Sequence, residues 1–576
     1  MKKIIFFAAL FLSLSLTAGA NPQDVEFEKI AKDYCEELLS SHPEYATELG
    51  DHRFDGSLTD YSVEARNRRL ASARQFLEAL KKFDDYRQLT GPNQVDVRIL
   101  RENIESEIFE LEEMRDAEWN PLVYNQSLAN SLYLLVARDF DTAENRIPNL
   151  RKRMESLSRV IEQAKTNLQH PPRVYTETAI EQAQGAVNLV RHGLDPLLSK
   201  APQLKKDLAP VQDKAAKELE DYKNWLQNDL LKRSDGDFRI GADKFRKKLH
   251  FALASDLSME EIMSRAQTDL QKTQTAIYET AVPLYKKYFH DADAKTLADK
   301  KKVTAAVLNK LAGEHPDDAT IVSYCQKVVR EATEFVKSHN LVAVPNTPLD
   351  VIVMPEFKRG QAIAYCDSSG PLEKSPKTFF AVAPTPNDWP QPRKDSFFRE
   401  YNNYMIRDLT VHEAMPGHYL QLAHANEFHA PTLVRSIFQS GSFIEGWAVY
   451  CEQVMAEHGY GGPEVKMQQL KMRLRCIANA IIDQSIHAGN MSEQQAMDLM
   501  MKETFQQEGE AVAKWKRARL SSTQLSTYFV GVSEHLDMRE AAKKKRGKDF
   551  DLKKYNDEVI SFGSPPVKYV RELLRL

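Results

Sequence analysis

Apolar residues recur at alternating steps of three and four along much of this chain, and this spacing constrains its fold more than any other feature. On a helix with 3.6 residues per turn, such spacing forms one apolar stripe that packs inward. Three stretches show it most clearly: Leu150, Met154, Leu157, Ile161, Ala164 and Leu168; Val211, Ala215, Leu219, Tyr222, Leu226 and Leu230; and Met467, Leu470, Leu474, Ile477 and Ile481. The pattern predicts a mainly α-helical protein.

Proline and glycine divide this helical chain into segments, at residues 171–172, 196–210 and 459–463. None of these stretches resembles a flexible linker, and the sequence has no internal repeat or low-complexity tract. Although the length would allow about three or four domains, we predict one compact body. We expect an amino-terminal helical lobe at residues 21–240 and a second lobe at residues 241–576.

A region near residues 341–395 departs from the helical pattern. Its segments 350–355 (DVIVMP), 361–366 (QAIAYC) and 378–384 (TFFAVAP) are short, rich in β-branched or aromatic residues, and bounded by proline or glycine. They predict a small antiparallel β-sheet. An exposed edge of that sheet could pair with an extended peptide. The alternative is a structural hairpin that covers the following helix.

The amino terminus has the features of a secretory signal peptide. Residues 1–20 combine two lysines, an apolar stretch, and small residues in an AxA frame, which predicts cleavage after Ala20. No cysteine lies near this point, which argues against a lipoprotein anchor, and no later apolar run is long enough to span a bilayer. We therefore predict a periplasmic or secreted protein without a membrane anchor.

Charge and cysteine content argue against two classes of protein. The formal charge of -4 becomes more negative once Lys2 and Lys3 leave with the signal, whereas nucleic-acid binding needs a basic surface. The five cysteines are too few and too scattered for a disulfide scaffold, and their odd number leaves at least one free thiol within a single chain. The sequence leaves the oligomeric state open.

The sequence VHEAMPGH at residues 411–418 resembles the HExxH motif of zinc hydrolases, lengthened by two residues. In HExxH, two histidines on one helix face bind the metal, and the glutamate acts as general base on the metal-bound water. His412 and His418 are six residues apart. On a continuous helix they would point about 120° apart and lie about 9 Å apart along the axis, so one metal could not reach both.

The spacing alone leaves two interpretations of this motif. Pro416 cannot donate a backbone hydrogen bond to the carbonyl of His412, and Gly417 can adopt dihedral angles closed to other residues. A bulge at these two positions could absorb the extra length and bring both histidines to one metal. The alternative is a helix that ends near Met415, followed by a histidine with no part in metal binding.

The residues before the motif predict a helix over residues 398–415. Its apolar stripe runs through Phe398, Tyr401, Met405 and Leu409. His412 extends this stripe toward the interior, where a histidine is more often a hydrogen-bonded core residue than a ligand. Glu413 beside it would need a partner to offset the burial of its charge, and a metal-bound water would serve.

A catalytic zinc needs a third protein ligand, and Glu445 is the best candidate. It lies beside the apolar stripe of a predicted helix, 27 residues beyond His418, which suits a helix that returns past the first. Glu452, two turns further on the same face, could orient a histidine by a hydrogen bond. The alternative is a solvated face with two ordinary glutamates. His424 and His429 are reserve candidates as ligands.

Tyr528 is a candidate for a further catalytic role. It lies with Leu525, Val532 and Leu536 near the apolar face of a predicted helix, where most tyrosines are packing residues. In a zinc peptidase, however, a phenol commonly donates a hydrogen bond to the developing oxyanion. The sequence keeps both roles open.

Together these motifs resemble those of a bacterial family catalogued as domain of unknown function 885. Its members look like zincins with HExxPGH followed by EGWAxY, which stand here as HEAMPGH at residues 412–418 and EGWAVY at residues 445–450. Residues 46–62 (ATELGDHRFDGSLTDYS) and the late segments STYFVG and FGSPP are similar as well, so the resemblance covers nearly the whole mature chain. Pro566, the last residue of FGSPP, replaces a leucine that is frequent in the family, a change that we do not expect to affect catalysis.

The resemblance implies a mostly helical zincin fold of the neurolysin and angiotensin-converting-enzyme type. It implies one zinc ion with His412, His418 and Glu445 as ligands. Glu413 would then be the general base, and Tyr528, by analogy with that broader fold, would donate to the oxyanion. The expected function is that of an exported zinc metallopeptidase that hydrolyses peptide substrates.

Two other functions fit the same residues. A zinc hydrolase of small amides or esters would use the same centre, and a non-catalytic peptide-binding protein could keep the fold with a structural metal. The second function has no need of a base, so the presence of Glu413 argues against it. Serine-hydrolase and nucleotide-binding functions lack their motifs, since the chain has no GxSxG, GxGxxG or P-loop sequence.

Overall fold

The structure, a computed structural model, describes residues 21–354, 364–374, 377–387 and 389–576. The predicted signal peptide at residues 1–20 lies outside the described residues, as does the first half of the predicted strand at residues 361–366. Helices make up most of the described chain. The mainly α-helical class expected from the apolar spacing is therefore confirmed.

Helices follow one another along both halves of the chain. The first half contains α1 (Pro22–Ser41), α2 (Pro43–Leu49), α3 (Val63–Leu80), α4 (Gly91–Phe109), α5 (Pro121–Ala137), α6 (Ala143–Glu155), α7 (Leu157–Asn167), α8 (Arg173–Asn188), α9 (Asp195–Leu198), α10 (Pro202–Asn228), α11 (Ala242–Leu253) and α12 (Met259–Tyr288). The second half contains α13 (Ala294–Ala298), α14 (Lys300–Leu311), α15 (Ile321–Ser338), α16 (Gln391–Glu400), α17 (Asn403–Glu413), α18 (His418–Glu427), α19 (Val434–Ile437), α20 (Gly441–Glu457), α21 (Gly462–His487), α22 (Glu493–Asp498), α23 (Glu508–Leu520), α24 (Ser526–Arg546), α25 (Leu552–Ile560) and α26 (Val567–Leu573). Short 3-10 and π segments adjoin several of them.

The apolar stripes that predict these helices are largely buried, but some helix ends differ from expectation. The first stripe is divided between α6 and α7, because the chain turns at Ser156 while Met154 and Leu157 still face the core. Pro210 lies inside α10 instead of ending a helix. Since Pro210 is exposed, α10 loses a backbone hydrogen bond there without disturbing the core. The division into two lobes near residue 240 stays a prediction.

Strands β1 (Leu349–Val353), β2 (Ala364–Asp367) and β3 (Thr378–Val382) form a small sheet in the predicted region. The expectation of a purely antiparallel sheet was wrong. The strand order is β1-β3-β2, with β1 parallel and β2 antiparallel to β3. Sequence pattern identifies such strands, but their order depends on hydrogen bonds between distant segments. In the described sheet β2 is an edge strand, and it contacts α17.

The helix predicted over residues 398–415 is two helices, α16 and α17. Tyr401 has non-helical dihedral angles at the end of α16. The side chain of Asn402 accepts hydrogen bonds from the backbone N–H groups of Tyr404 and Met405. These bonds satisfy free donors at the start of α17, as an N-cap residue does. The predicted apolar stripe therefore continues across a break that the spacing did not indicate.

Helices α20 and α24 approach each other closely at a pair of glycines. A Cβ atom on Gly446 would lie 2.4 Å from the carbonyl carbon of Gly531. A Cβ atom on Gly531 would lie 2.0 Å from the carbonyl oxygen of Ser442. Side chains at these two positions would push the backbones apart, so the crossing requires glycine on both helices.

The glycine crossing positions two candidate site residues. Helices α20 and α24 run in the same direction from it, since Tyr450, one turn beyond the first glycine, packs against His535, one turn beyond the second. Glu445 directly precedes the crossing in α20, and Tyr528 precedes it by one turn in α24. The two residues are therefore brought to the same end of the contact.

Gly446→Ala is expected to destabilise the protein by about 1–3 kcal/mol, because the added methyl group would overlap backbone atoms of α24. Gly441→Ala is the matched control, since it adds the same group to the same helix where nothing lies within 4 Å. Thermal unfolding of both variants, followed by circular dichroism, measures the difference. Equal unfolding temperatures for the two variants would show that the crossing tolerates a side chain.

Two further findings bear on export and on disulfides. Among the described residues, no helix combines the length and apolarity needed to cross a membrane. The five cysteines are all free thiols, and four of them are buried.

Candidate metal centre

His412 and His418 lie on two different helices. Helix α17 ends at Glu413, so His412 belongs to its last turn, and α18 begins with His418. The ring centroids of the two histidines are 4.6 Å apart, and their planes are nearly perpendicular at 85°. Neither interpretation of the motif was complete. The helix does end before Met415, but the chain then turns and brings His418 back against His412.

The turn between α17 and α18 is held by a close backbone contact and by a tryptophan. The N–H of Gly417 donates to the carbonyl of Val411 at 2.9 Å. A Cβ atom on Gly417 would lie 1.9 Å from the carbonyl oxygen of His412, so only glycine fits there. Trp447 in α20 donates from Nε1 to the carbonyl oxygen of Pro416 at 3.0 Å. The turn is thereby tied to the helix that carries Glu445.

Glu445 completes a group of three side chains that could hold a metal ion. Its Oε2 lies 3.5 Å from Nε2 of His412 and 3.5 Å from Nε2 of His418. One potential ligand atom from each residue lies within 4.8 Å of the other two. No further group of this kind occurs in the part of the chain that the structure describes. The three residues predicted as ligands are therefore brought together.

The distances and donor atoms of this group fit a zinc ion. Tetrahedral zinc with bonds of about 2.0–2.1 Å separates neighbouring ligand atoms by about 3.4 Å, close to the 3.5 Å between Glu445 and each histidine. Oε2 of Glu445 is buried and has no hydrogen-bond partner among the described residues. A buried carboxylate oxygen without a partner is costly, and a cation at this point would offset that cost.

The charge state of Glu445 also suits a ligand. Burial alone would raise the pKa of Glu445, but its interactions with His412 and His418 lower the pKa below its usual range. The carboxylate is therefore ionised at neutral pH. Anionic oxygen and two imidazole nitrogens are donors that zinc accepts in catalytic sites.

Glu452 contacts His412 on the side away from Glu445. Its Oε1 lies 2.6 Å from Nδ1 of His412, and both side chains are buried. A proton held on Nδ1 fixes the ring and leaves Nε2 to face Glu445. Burial would lower the pKa of His412, but its interactions with the carboxylates of Glu445 and Glu452 raise the pKa well above its usual value. The same two carboxylates would stabilise a metal cation in place of that proton.

Asp408, one turn before His412 in α17, is a neighbour that sequence reasoning did not identify. Burial, and then the charge of Glu452, raise the pKa of Asp408 well above its usual range. Burial and the neighbouring charge of Glu452 therefore both disfavour ionisation of Asp408. Its position four residues before His412 could have marked it as a residue of the same helix face.

Glu452→Gln is expected to weaken zinc binding by about 10- to 100-fold, because a neutral amide replaces the anion that orients and polarises His412. Competition with a zinc chelator of known affinity measures the change. Glu457→Gln is the control, since it removes the same charge from α20 at a residue that pairs with Arg539. If both variants bind zinc as tightly as the unaltered protein, Glu452 does not support the ligand.

Glu413 lies outside the group of three ligands and is held by the sheet. Its Oε2 accepts a hydrogen bond from the backbone N–H of Cys366 in β2 at 3.0 Å. The side chain is half-buried, next to His412 at the end of α17. The contact with Cys366 could not be found from sequence, because a backbone amide has no residue signature.

Tyr528 is half-buried in α24, and its hydroxyl lies 3.4 Å from Nη2 of Arg517. Burial, followed by the negative charge of Glu445, raises the pKa of the phenol. The phenol therefore keeps its proton at neutral pH and lies within electrostatic range of Glu445. The start of α24 is fixed by Asp483, whose buried carboxyl accepts hydrogen bonds from the N–H and hydroxyl of Ser526.

The reserve histidines do not join the metal group. Nε2 of His424 lies 3.0 Å from the carbonyl oxygen of Ala343. The exposed ring of His429 contacts the carbonyl oxygen of Glu427 at 2.7 Å. Both residues therefore serve local structure.

Two histidines and a glutamate from three helices thus define a helical protein with a candidate metal centre. The chain belongs to the family described as "Bacterial protein of unknown function (DUF885)", whose model matches residues 43–574. This match confirms the resemblance drawn from the HEAMPGH and EGWAVY motifs. No curated protein matches the chain.

Two bacterial proteins with solved structures share the fold of this chain over nearly its whole length. A protein of Shewanella oneidensis, described as a candidate lipoprotein of unknown function, is 31% identical, with a TM-score of 0.79 over 96% of this chain and 100% of its own. A candidate lipoprotein of Colwellia psychrerythraea is 18% identical, with a TM-score of 0.77 over 96% of this chain and 98% of its own. The second likeness shows a shared fold alone.

Proposed function

We propose that this protein is an exported zinc metallopeptidase with a zincin-like fold of the neurolysin and angiotensin-converting-enzyme type. The observation that carries the proposal is the position of Oε2 of Glu445. This buried oxygen has no hydrogen-bond partner among the described residues and lies 3.5 Å from an imidazole nitrogen of both His412 and His418. The neighbouring Glu413 favours a hydrolase, because binding alone needs no base.

His412, His418 and Glu445 would hold the zinc ion, with Glu452 orienting His412. Bound zinc supplies a Lewis acid that polarises the carbonyl of the bond to be cleaved and makes water more acidic. Three protein ligands are the number typical of catalytic zinc sites. A structural zinc site would instead be closed by a fourth ligand, and the described residues offer a group of three.

Glu413 serves as the general base. It accepts a proton from the attacking water while the oxygen of that water bonds to the peptide carbonyl carbon. The N–H of Cys366 holds its carboxylate at 3.0 Å and keeps it from rotating away. Glu413 then gives the proton to the leaving nitrogen as the C–N bond breaks. The products are a carboxylic acid and an amine, and the carboxylate is regenerated.

Tyr528 stabilises the transition state. Its hydroxyl donates a hydrogen bond to the carbonyl oxygen as negative charge develops there. The raised pKa of the phenol keeps this donor protonated through the neutral range. The helix crossing at Gly446 and Gly531 maintains its position relative to Glu445.

The edge strand β2 supports a peptide as the substrate. β2 pairs with β3 on one side, while the N–H of Cys366 points to Glu413 on the other. An extended peptide could therefore lie along this edge strand, beside the base. A small ester has no extended backbone that could pair along such an edge.

Export is supported by the signal-like composition of residues 1–20, with the expected cut after Ala20. The two solved neighbours are described as candidate lipoproteins, which are exported molecules. A periplasmic or secreted location would give the enzyme access to peptides outside the cytoplasm.

The proposal is tested by incubating the zinc-loaded protein with a mixed peptide library and identifying products by mass spectrometry. Acyl-amino-acid and ester substrates are assayed in parallel. We expect zinc-dependent cleavage of peptide bonds that stops when zinc is chelated and returns when zinc is restored. Activity on non-peptides alone would contradict the peptidase assignment, and zinc binding without any hydrolysis would contradict the enzymatic one.

A further inference from the structure

Arg517 is a cation beside the candidate site that lacks an acidic partner. It is exposed in the last turn of α23, and no carboxylate of the described residues lies in ion-pair range. Two other cations of the same helix do have such partners, since Lys516 pairs with Glu181 and Lys514 faces Glu510. The charge of Arg517 is therefore available to an anionic ligand.

Two contacts hold the Arg517 side chain in place. Its Nη2 donates to Oε1 of Gln524 at 2.8 Å and lies 3.4 Å from the hydroxyl of Tyr528. Both contacts use the same nitrogen, so Nη1 and Nε still have donors to offer. A guanidinium fixed in this way binds a carboxylate with little loss of conformational freedom.

Tyr528 relates Arg517 to the candidate metal ligands. Its hydroxyl lies 3.4 Å from Nη2 of Arg517, and it precedes by one turn the glycine crossing that also positions Glu445. Burial, and then the charge of Glu445, raise the pKa of its phenol. The side chains of Glu413, Glu445 and Glu452 place three acidic groups at the candidate centre, one more than the charge of a bound zinc dication would balance. A negative group on a substrate is therefore favoured at Arg517, which sets one orientation of a bound peptide.

We propose that Arg517 binds the carboxy-terminal carboxylate of the peptide substrate, so that the enzyme is a carboxypeptidase. The proposal rests on the proposed function, because it assigns a substrate end to the same site. Gln524 is a positioning residue that holds the guanidinium toward the substrate. Recognition of the free carboxylate distinguishes peptide ends from internal peptide bonds.

The distances favour removal of a single residue. A hydrogen bond of about 2.7 Å from Tyr528 to the reacting carbonyl oxygen, added to the 3.4 Å between Tyr528 and Arg517, places the guanidinium within about 6 Å of that oxygen. Successive Cα atoms are about 3.8 Å apart. The carboxylate of the residue that directly follows the cleaved bond lies within this reach, whereas a longer tail would extend beyond it.

The test measures peptide binding apart from hydrolysis. N-acetylated tetrapeptides varied at the last two positions are made as free acids and as carboxy-terminal amides, and their binding to the zinc-loaded Glu413→Gln variant is measured by calorimetry. We expect the acids to bind about 10- to 100-fold more tightly than the amides, the range for a lost charge-assisted hydrogen bond. Adding Arg517→Gln should abolish this difference, and Arg517→Lys should restore part of it.

Arg519→Gln is the matched control, because it removes the same charge from α23 at a residue that stacks on Trp515. It should leave the preference for acids unchanged. Equal binding of acids and amides, or no binding of either, would overturn the carboxylate anchor. A fall in affinity by the same factor for both forms in Arg517→Gln would also overturn it, since Arg517 would then act only through Tyr528.

Kinetic assays with Glu413 intact distinguish failure of the carboxylate anchor from failure of the proposed peptidase function. Peptide cleavage that is equally fast for acids and amides would contradict the carboxypeptidase assignment and keep the peptidase. If acids bind preferentially through Arg517 but no peptide is cleaved, the anchor stands and the peptidase does not. If the peptidase and the carboxylate anchor are both right, we expect sequential release of single carboxy-terminal amino acids. In Arg517→Gln this release should become inefficient because the KM rises.

Discussion

Glu413→Gln is expected to reduce the kcat of peptide hydrolysis by about 100- to 10,000-fold, the contribution of a positioned general base. Glutamine keeps the size of the side chain, and its carbonyl oxygen can still accept the hydrogen bond from Cys366 that Glu413 accepts at 3.0 Å. It cannot take a proton from water at neutral pH. Steady-state cleavage of a substrate found in the peptide library measures the loss.

Zinc content and thermal unfolding of Glu413→Gln should match those of the unaltered protein, because Glu413 is outside the group of three ligands. Glu427→Gln in the neighbouring helix α18 is the activity control, since Glu427 is exposed. Full peptidase activity in Glu413→Gln would remove the base from the mechanism. A variant that loses zinc as well as activity would show that Glu413 holds the metal.

His418→Ala is expected to lower zinc affinity more than 100-fold and to abolish hydrolysis. Loss of a direct ligand should cost more than the 10- to 100-fold that is typical of a residue behind the ligand. It would also leave Oε2 of Glu445 with one imidazole nitrogen at 3.5 Å in place of two. Metal analysis after dialysis should find about one zinc per chain in the unaltered protein and none in the variant.

Thermal unfolding provides a second measurement for His418→Ala that does not depend on activity. A metal that binds only the folded state stabilises it in proportion to the logarithm of its concentration over Kd. Added zinc should therefore raise the unfolding temperature of the unaltered protein but not that of His418→Ala. His424→Ala is the control in the same helix, because His424 contacts the carbonyl of Ala343. Equal zinc responses in the unaltered protein and His418→Ala would contradict the metal centre.

The sequence was most informative where residue type and spacing act locally. Burial of the predicted stripes follows from helical periodicity, as Leu219 and Tyr222 in α10 illustrate. Glu452 was expected to orient a histidine because it lies two turns beyond Glu445 on one helix face. The structure gives it a contact of 2.6 Å with His412.

The sequence was less informative where the outcome depends on contacts between distant segments. β3 lies between β1 and β2 and runs parallel to β1, where a purely antiparallel sheet was expected, because strand order is a non-local choice. The break at Asn402 divides a continuous apolar stripe, because the amide caps α17 without changing the spacing. The packing of α23 beside Tyr528 leaves Arg517 without a carboxylate of the described residues in ion-pair range, and no local pattern encodes that packing.

The sequence by itself determined a mainly helical chain, the family, and the candidate chemistry of HEAMPGH and EGWAVY, because periodicity and motifs are properties of neighbouring residues. Tertiary structure alone decided whether His412 and His418 could meet. Where a bulge within one helix was expected, the structure has a turn between two helices. The close approach of Gly417 to the carbonyl of His412 and the hydrogen bond from Trp447 to Pro416 hold this turn in place. Packing of α20 against that turn, through contacts that no local pattern encodes, brings Oε2 of Glu445 to 3.5 Å from both imidazoles.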